Sequence, residues 1–345
     1  GYTDYQLAAL NNKNYAVPVQ SLRGEIFDRN GKALIKNEPT FDLITRPNLI
    51  DDIDSFIEKI QPVIFLSENE ISKYKVLQKE KAFVNKELVL KKDLSAEEIA
   101  RFNVRSFNFQ NAFIAQRYRR ISDYPEIFSH VLGYTSRIEN DIKSMPEIPQ
   151  SHWKDTELVY AHGLIQGQTG LEEIYDDHLS GQHGQRVHEM NARGQFVQSL
   201  SFTQPAKGLD LYTNLDIDAQ KSAAKFLGNR KGAVVAIDLV SGGINVLYSS
   251  PTYSINELSN GMSESNFQTL LNDADKPFFN RALQGRYPPA STIKPAIGMY
   301  GLSNNIVNWD FEMKDPGFFT LPETGRVFRG WLKGGHGKVN MHKAF

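Results

Sequence analysis

Apolar and polar residues alternate through residues 16–46, where Val17, Val19, Ile26, Phe27, Leu34, Phe41 and Leu43 are the apolar members. A period of two marks strands with one face buried. Asn30-Gly31 interrupts the run, and an Asn-Gly pair supplies the positive φ of a tight turn between strands. Residues 51–78 predict a helix. Within them, Ser67-Glu68-Asn69-Glu70 has capping-box spacing, in which serine and glutamate each satisfy the other's free backbone N–H. A second box, Ser95-Ala96-Glu97-Glu98, opens a helix expected to reach about Phe102. Between the boxes, Phe83-Val84 and Leu88-Val89-Leu90 predict a short strand or hairpin. Residues 51–160 therefore read as mixed α/β without a catalytic pattern, suited to packing or partner contact.

Further on, Gly163, Gly167, Gly170, Gly181, Gly184 and Gly194 flank one short helix expected over Leu171–Leu179. Pro205-Ala206-Lys207-Gly208 is linker-like and sets the expected domain boundary near residue 207. A strand pattern at Leu211–Leu215 and an amphipathic helix at Asp218–Leu227 follow. Two apolar runs, Gly232–Ile237 and Ile244–Tyr248, flank Ser241-Gly242-Gly243 and predict a hairpin of a buried sheet.

Length and composition narrow the class. The 345 residues, 40% hydrophobic and 23% charged, suit globular structure in about two domains. With 39 basic against 40 acidic residues, no basic excess argues for nucleic-acid binding. The absence of cysteine removes disulfides, thiolate catalysis and cysteine metal sites. No apolar run reaches the roughly 18 residues that span a bilayer. The start, Gly1-Tyr2-Thr3-Asp4, is neither a signal peptide nor a methionine start, so any membrane anchor is expected upstream.

Candidate chemistry lies in Tyr287-Pro288-Pro289-Ala290-Ser291-Thr292-Ile293-Lys294-Pro295. Two prolines fix an extended approach. The small and apolar residues that follow predict a buried helix starting at about Ser291, with Pro295 in its first turns, where a missing N–H costs least. Positions three apart share a helix face, so the Ser291 hydroxyl and the Lys294 amine can meet. A serine needs a base to become nucleophilic. A lysine, ordinarily protonated up to about pH 10.4, becomes that base when burial and a helix N-terminus disfavour its charge. The N–H groups opening the helix could then hold an oxyanion. Ser-x-x-Lys alone fits equally well an N-cap serine with a solvated lysine one turn on.

The surrounding sequence changes that balance. Asn280 through Pro295 resembles the first active-site motif of class B penicillin-binding proteins. Arg23-Gly24-Glu25-Ile26-Phe27-Asp28-Arg29-Asn30-Gly31 resembles the segment that opens their N-terminal pedestal, and Gly167 through Asp176 its Gly-Leu-Glu helix. Gly335-His336-Gly337-Lys338-Val339-Asn340 is similar to the stretch after the nucleophile helix. His130-Val131-Leu132-Gly133-Tyr134 and Leu270-Leu271-Asn272-Asp273 point to the penicillin-binding protein 2 branch, which serves rod elongation.

The resemblance implies an α+β pedestal over residues 1–207, with a head subregion at about 47–160. It implies the first part of an α/β serine transpeptidase, β-lactamase-like in fold, over residues 208–345. It further implies Ser291 as nucleophile and Lys294 as general base of a peptidoglycan D,D-transpeptidase that needs no cofactor or metal. The substrate would be a stem peptide, and β-lactam antibiotics would trap the acyl-enzyme. The expected setting is the periplasmic face of a bacterial inner membrane, with a rod-system membrane glycosyltransferase and a scaffold protein as partners. The alternatives are a septal transpeptidase, or a non-enzymatic pedestal or β-lactam sensor.

Two motifs of the superfamily, Ser-Asp-Asn and Lys-Thr-Gly, have no counterpart after Lys294, so the substrate-binding residues are not assignable and the 345-residue chain alone is expected to be incomplete and inactive. Ser254-Ile255-Asn256 precedes the nucleophile, Ser303-Asn304-Asn305 follows it too closely, and Thr324-Gly325 follows Glu323 rather than lysine. The first two read as turn-formers. Asp315 and His336 could ligate zinc, but with no cysteine to complete four ligands a hydrogen-bonding role for His336 is preferred. Glu172, Glu173, Asp176 and Asp177 are read as a solvated face or as salt bridges to the pedestal, and Arg117, Arg119 and Arg120 as a solvated basic cluster.

Overall fold

A computed structural model of the chain describes residues 13–79, 88–137, 164–190 and 196–344. Two compact units divide it, residues 1–284 and 285–345. No helix among the described residues is long and apolar enough to cross a membrane.

In the first unit the alternating stretch forms β1 (Lys13–Val19), β2 (Ile26–Phe27) and β3 (Ala33–Thr45). β2 and β3 pair antiparallel around the Asn-Gly turn, where Gly31 has φ 75°. Asp28 organises this turn by accepting the N–H groups of Asn30 and Lys32, each at 2.8 Å.

The single helix predicted over 51–78 is two helices, α1 (Ile53–Ile60) and α2 (Glu68–Lys79). Pro62 breaks the run, having no N–H to give. The Gln61 side chain closes the gap by bonding both the N–H and the carbonyl of Leu66. Next come β4 (Leu88–Lys91) and α3 (Ala96–Arg105). Both capping boxes form, Ser67 with Glu70 and Ser95 with Glu98. Phe83, Val84, Gly163 and Gly194 lie outside the described residues.

β5 (Ala112–Ile121), α4 (Ser129–Leu132), β6 (Thr135–Arg137) and β7 (Ile165–Gly167) lead to α5 (Gly170–Ile174) and α6 (Asp176–Ser180). The sequence predicts one helix there. Tyr175 leaves helical dihedrals (φ −105°, ψ 25°), and Asp176 beyond it accepts the Gly167 N–H at 2.8 Å. β8 (Gly184–Met190) and β9 (Phe196–Thr203) complete a three-stranded sheet in the order β1-β8-β9.

β10 (Leu211–Tyr212) pairs parallel with β2, and α7 (Ile217–Leu227) follows. β11 (Gly232–Ile237) and β12 (Ile244–Ser250) form the predicted hairpin. Its burial is one-sided: β12 is buried from Val246 to Ser250, while Val235 and Ile237 of β11 are exposed, because no other described strand pairs with β11. α8 (Ile255–Asn260) and α9 (Glu264–Leu271) close the unit.

Two apolar cores stabilise it. One gathers Leu43, Ile57, Ile60, Ile64, Tyr74 and Phe102. The other gathers Ile26, Leu34, Ile35, Phe128, Leu132 and Leu247. β3 supplies residues to both.

The second unit holds a 3₁₀ turn (Ala290–Ile293), α10 (Lys294–Ser303), β13 (Glu312–Asp315), β14 (Phe318–Thr320), β15 (Val327–Arg329), β16 (Gly337–Asn340) and α11 (Met341–Ala344). Its strands pair as β13 with β16 and β14 with β15, both antiparallel.

Candidate active site

The Ser-x-x-Lys segment folds in a way its composition only partly dictates. After Pro289, Ala290 sits at φ 48°, a left-handed conformation that costs a non-glycine residue about 1–3 kcal/mol. The chain then tightens into the 3₁₀ turn rather than opening an α-helix at Ser291. Thr292 donates its N–H to the Pro289 carbonyl at 3.1 Å, and its hydroxyl bonds the same oxygen. Lys294 donates its N–H back to the Ser291 carbonyl, and α10 starts only there, with Pro295 at its beginning. In 3₁₀ geometry residues three apart eclipse one another, so Ser291 and Lys294 share one face more closely than an α-helix would place them.

Ser291 and Lys294 are both exposed. The burial expected of their helix is not met: Ile297, Met299 and Tyr300 are exposed and only Gly301 is buried. An apolar sequence needs a facing layer to be buried, and the strands of this unit pair only with each other. The burial expected around Lys294 is therefore not seen among the described residues.

The other candidates fall into structural roles. Asn304 caps the end of α10, its amide bonding the Tyr300 carbonyl at 2.9 Å, and Asn305 turns the chain at φ 55°. Ser254 caps α8, while Asn256 brackets both the N–H and the carbonyl of Ser122. Thr324-Gly325 is a turn, with Gly325 at φ 67°. Asp315 and His336 pair directly, His336 Nδ1 lying 2.8 Å from Asp315 Oδ2. That bond first, then the N–H groups of Gly317 and His336, pulls the Asp315 carboxyl down to about 2. Among the described residues no group of three or more side chains could hold a metal.

One assignment narrows and one needs correction. Of the two readings of Glu172, salt bridging holds and the solvated face does not: it is fully buried, and two guanidinium groups share it. Arg23 Nε reaches Glu172 Oε2 and Arg120 Nε reaches Oε1, each at 2.7 Å. Arg23 also donates to the Glu172 carbonyl at 2.8 Å and lies 2.7 Å from Asp176, while Arg120 donates to Asn37 at 3.0 Å. The Arg117–Arg120 cluster is accordingly neutralised within the fold, Arg117 facing Asp42 and Arg119 facing Glu38 and Asp93. Arg120 is buried although Gln116 and Tyr118, on the same face of β5, are exposed. The long-range partner, 52 residues on in sequence, is what a linear reading misses.

Comparison with known proteins follows the same order of parts. The Penicillin-binding Protein dimerisation domain matches residues 18–213, and the Penicillin binding protein transpeptidase domain matches residues 232–345. The peptidoglycan D,D-transpeptidase MrdA of Acinetobacter baumannii is 36% identical over 343 residues, covering 99% of this chain and 50% of that protein. MrdA of Escherichia coli K12 is 32% identical over 346 residues, covering 99% and 53%. The complex of penicillin-binding protein PBP2 with MreC from Helicobacter pylori superposes with a TM-score of 0.76 at 26% identity, over 96% of this chain and 60% of that one. Pseudomonas aeruginosa PBP2 in complex with WCK 5153 gives a TM-score of 0.60 at 25% identity, over 96% and 51%. The chain spans about half the length of the curated relatives it matches.

Proposed function

This chain belongs to the penicillin-binding proteins, and on that premise we propose that it carries the nucleophile of a peptidoglycan D,D-transpeptidase of the rod elongation system. The α+β dimerisation domain followed by the opening of a transpeptidase domain is the fold class the sequence implied. One observation carries the functional reading: an exposed Ser291 three residues before an exposed Lys294, joined by a 3₁₀ turn that opens a helix.

Ser291 Oγ attacks the carbonyl carbon of the penultimate D-Ala of a stem peptide. Its proton passes to Lys294 Nζ, acting as general base. The carbonyl electron pair moves onto oxygen, where N–H groups at the turn can stabilise it. Collapse breaks the peptide bond, and the terminal D-Ala leaves with the proton from Lys294. An amine of a neighbouring stem then attacks the acyl carbonyl, and as the acyl–oxygen bond breaks the amine's proton returns through Lys294 to Ser291 Oγ. β-Lactams present the same carbonyl but leave an acyl-enzyme that persists. The proposal calls for no metal or organic cofactor.

The domain division near residue 207 is part of this reading, and the family matches at 18–213 and 232–345 support it. We place the protein at the periplasmic face of an inner membrane. A scaffold protein partner is supported by the MreC complex of the Helicobacter pylori relative. A membrane glycosyltransferase partner rests on family resemblance alone. The test is labelling of the intact polypeptide with fluorescent penicillin. Wild-type protein should label covalently and Ser291→Ala should not; equal labelling of the two refutes the assignment.

A further inference from the structure

We propose that the hollow between β5 and the helices α8 and α9 is a binding site for an N-acetylated sugar chain. That this chain is the glycan of peptidoglycan rests on the function proposed above; the chemistry of the hollow does not.

The hollow measures about 580 Å³, within the range of ligand clefts, and lies wholly in the first unit. One wall is the end of β5 at Arg119 and Ile121, in the stretch that the dimerisation domain matches. The facing wall is Asn256, Glu257 and Asn260 of α8 with Asn266 of α9, in the stretch that the transpeptidase domain matches. Gly261 turns the chain between the two helices at φ 103°. Met262, next to it, lines the hollow and packs partly against the core that holds Ile26 and Leu34.

A peptide that docks as an added strand needs free N–H and C=O groups along a sheet edge. Where β5 ends, those groups are spent. Asn256 accepts the Ser122 N–H and donates to the Ser122 carbonyl, each at 2.8 Å. Asn260 donates to the Arg120 carbonyl at 3.1 Å. What the hollow offers is side chains with bonds to spare. Among the described residues the Asn266 amide meets no partner, and the exposed Glu257 has no cation. Arg119 faces Glu38 and Asp93 with its other nitrogens, while its Nε–H is buried without an acceptor. A buried donor left in that state is rare in a folded protein and calls for an acceptor.

This inventory selects a class of ligand. The Arg119 charge is already balanced and Glu257 repels anions, so an anionic ligand is not favoured. Sugar hydroxyls donate and accept at once, to Glu257 as donors and to the Arg119 Nε–H as acceptors. An acetamido group carries one N–H, one carbonyl and a methyl. The Asn266 amide complements the first two, and Ile121 and Met262 give the methyl an apolar seat.

The test is ligand-observed NMR on the intact protein with triacetylchitotriose as probe. Saturation should transfer to the acetamido methyl protons and reach a plateau with sugar concentration. Cellotriose, with hydroxyls in place of the acetamido groups, should bind at least about threefold more weakly, the loss of a hydrogen bond. Asn266→Ala should weaken binding about threefold to tenfold with Tm unchanged. Arg119→Lys keeps a charge before Glu38 and Asp93 but loses the planar fork, and it should weaken binding by a similar factor. No saturable transfer, equal binding of cellotriose, or wild-type affinity in both variants overturns the proposal. So does binding only of the deacetylated, amine-bearing trimer, lost in Glu257→Gln and with added salt, which makes the hollow a cation site. Binding only of a neutral extended peptide overturns it as well. Sugar binding without a penicillin label at Ser291 refutes the proposed nucleophile and leaves the hollow standing; label without sugar binding does the reverse.

Discussion

Around Glu172 two guanidinium groups and a carboxylate are held out of water with nearly all their polar atoms engaged, whereas at Ser291 a hydroxyl and an amine face solvent in a 3₁₀ turn. Both constellations pair polar side chains, across the fold at Glu172 and three residues apart at Ser291 and Lys294. They differ in what the surroundings leave open. Taking one charge from a buried cluster strands the others without solvation, so such a cluster holds its geometry and has no group to spare for a ligand. An exposed pair on one turn contributes little stability and keeps its lone pairs for an incoming substrate. Burial with partners makes a fastening, and exposure with proximity makes a reagent.

The comparison can be tested from either side. At the reactive end, Lys294→Ala should slow penicillin acylation of the intact protein by about 10²–10⁴-fold, the usual range for loss of a general base, with Tm moving little. A matching collapse of Tm would mean that the turn is a fastening too. At the structural end, Glu172→Ala strands Arg23 and Arg120, and chemical denaturation should show a loss of about 3–5 kcal/mol. A change under 1 kcal/mol, on the order of an exposed pair, would erase the distinction.

His130 is an intermediate case, buried without a counter-charge. Burial lowers its pKa below the ordinary 6.5, Arg281 adds to that, and the bond to Pro277 opposes it. The unfolded chain therefore takes up the proton first. Stability should be flat above about pH 6.5 and fall as pH drops toward the lowered folded value. A Tm series from about pH 7 to about pH 5 should show this limb, and His130→Gln should flatten it. The smallest effect is expected at Ser95, whose loss to alanine removes one cap of α3 and should cost about 1 kcal/mol.

Local signals carried much of the fold. Asn30-Gly31, the two capping boxes and the β11–β12 hairpin formed where composition and spacing placed them, because each is settled within a few residues. The helix over 51–78 broke at Pro62, and α5 parted from α6 at Tyr175, where Asp176 is drawn to Arg23 from far along the chain. The candidate site shows the same division. Ser291 and Lys294 were legible as a pair three apart, but the 3₁₀ turn and the left-handed Ala290 were not. Glu172 was read as one of four acids on a solvated face or in salt bridges, and nothing within the segment reveals that its partners are two arginines arriving from β5 and from the start of the pedestal.

β3 runs 13 residues, and ten of them register against β5 without interruption. At about 3.3 Å per residue that is a rod of roughly 43 Å, with Leu34 and Ile35 anchored in one core and Leu43 in the other. Tension applied along such a rod loads its rungs in shear, all at once, instead of unzipping them in turn. That makes the strand a tie-bar that should stay taut while the loops around it yield.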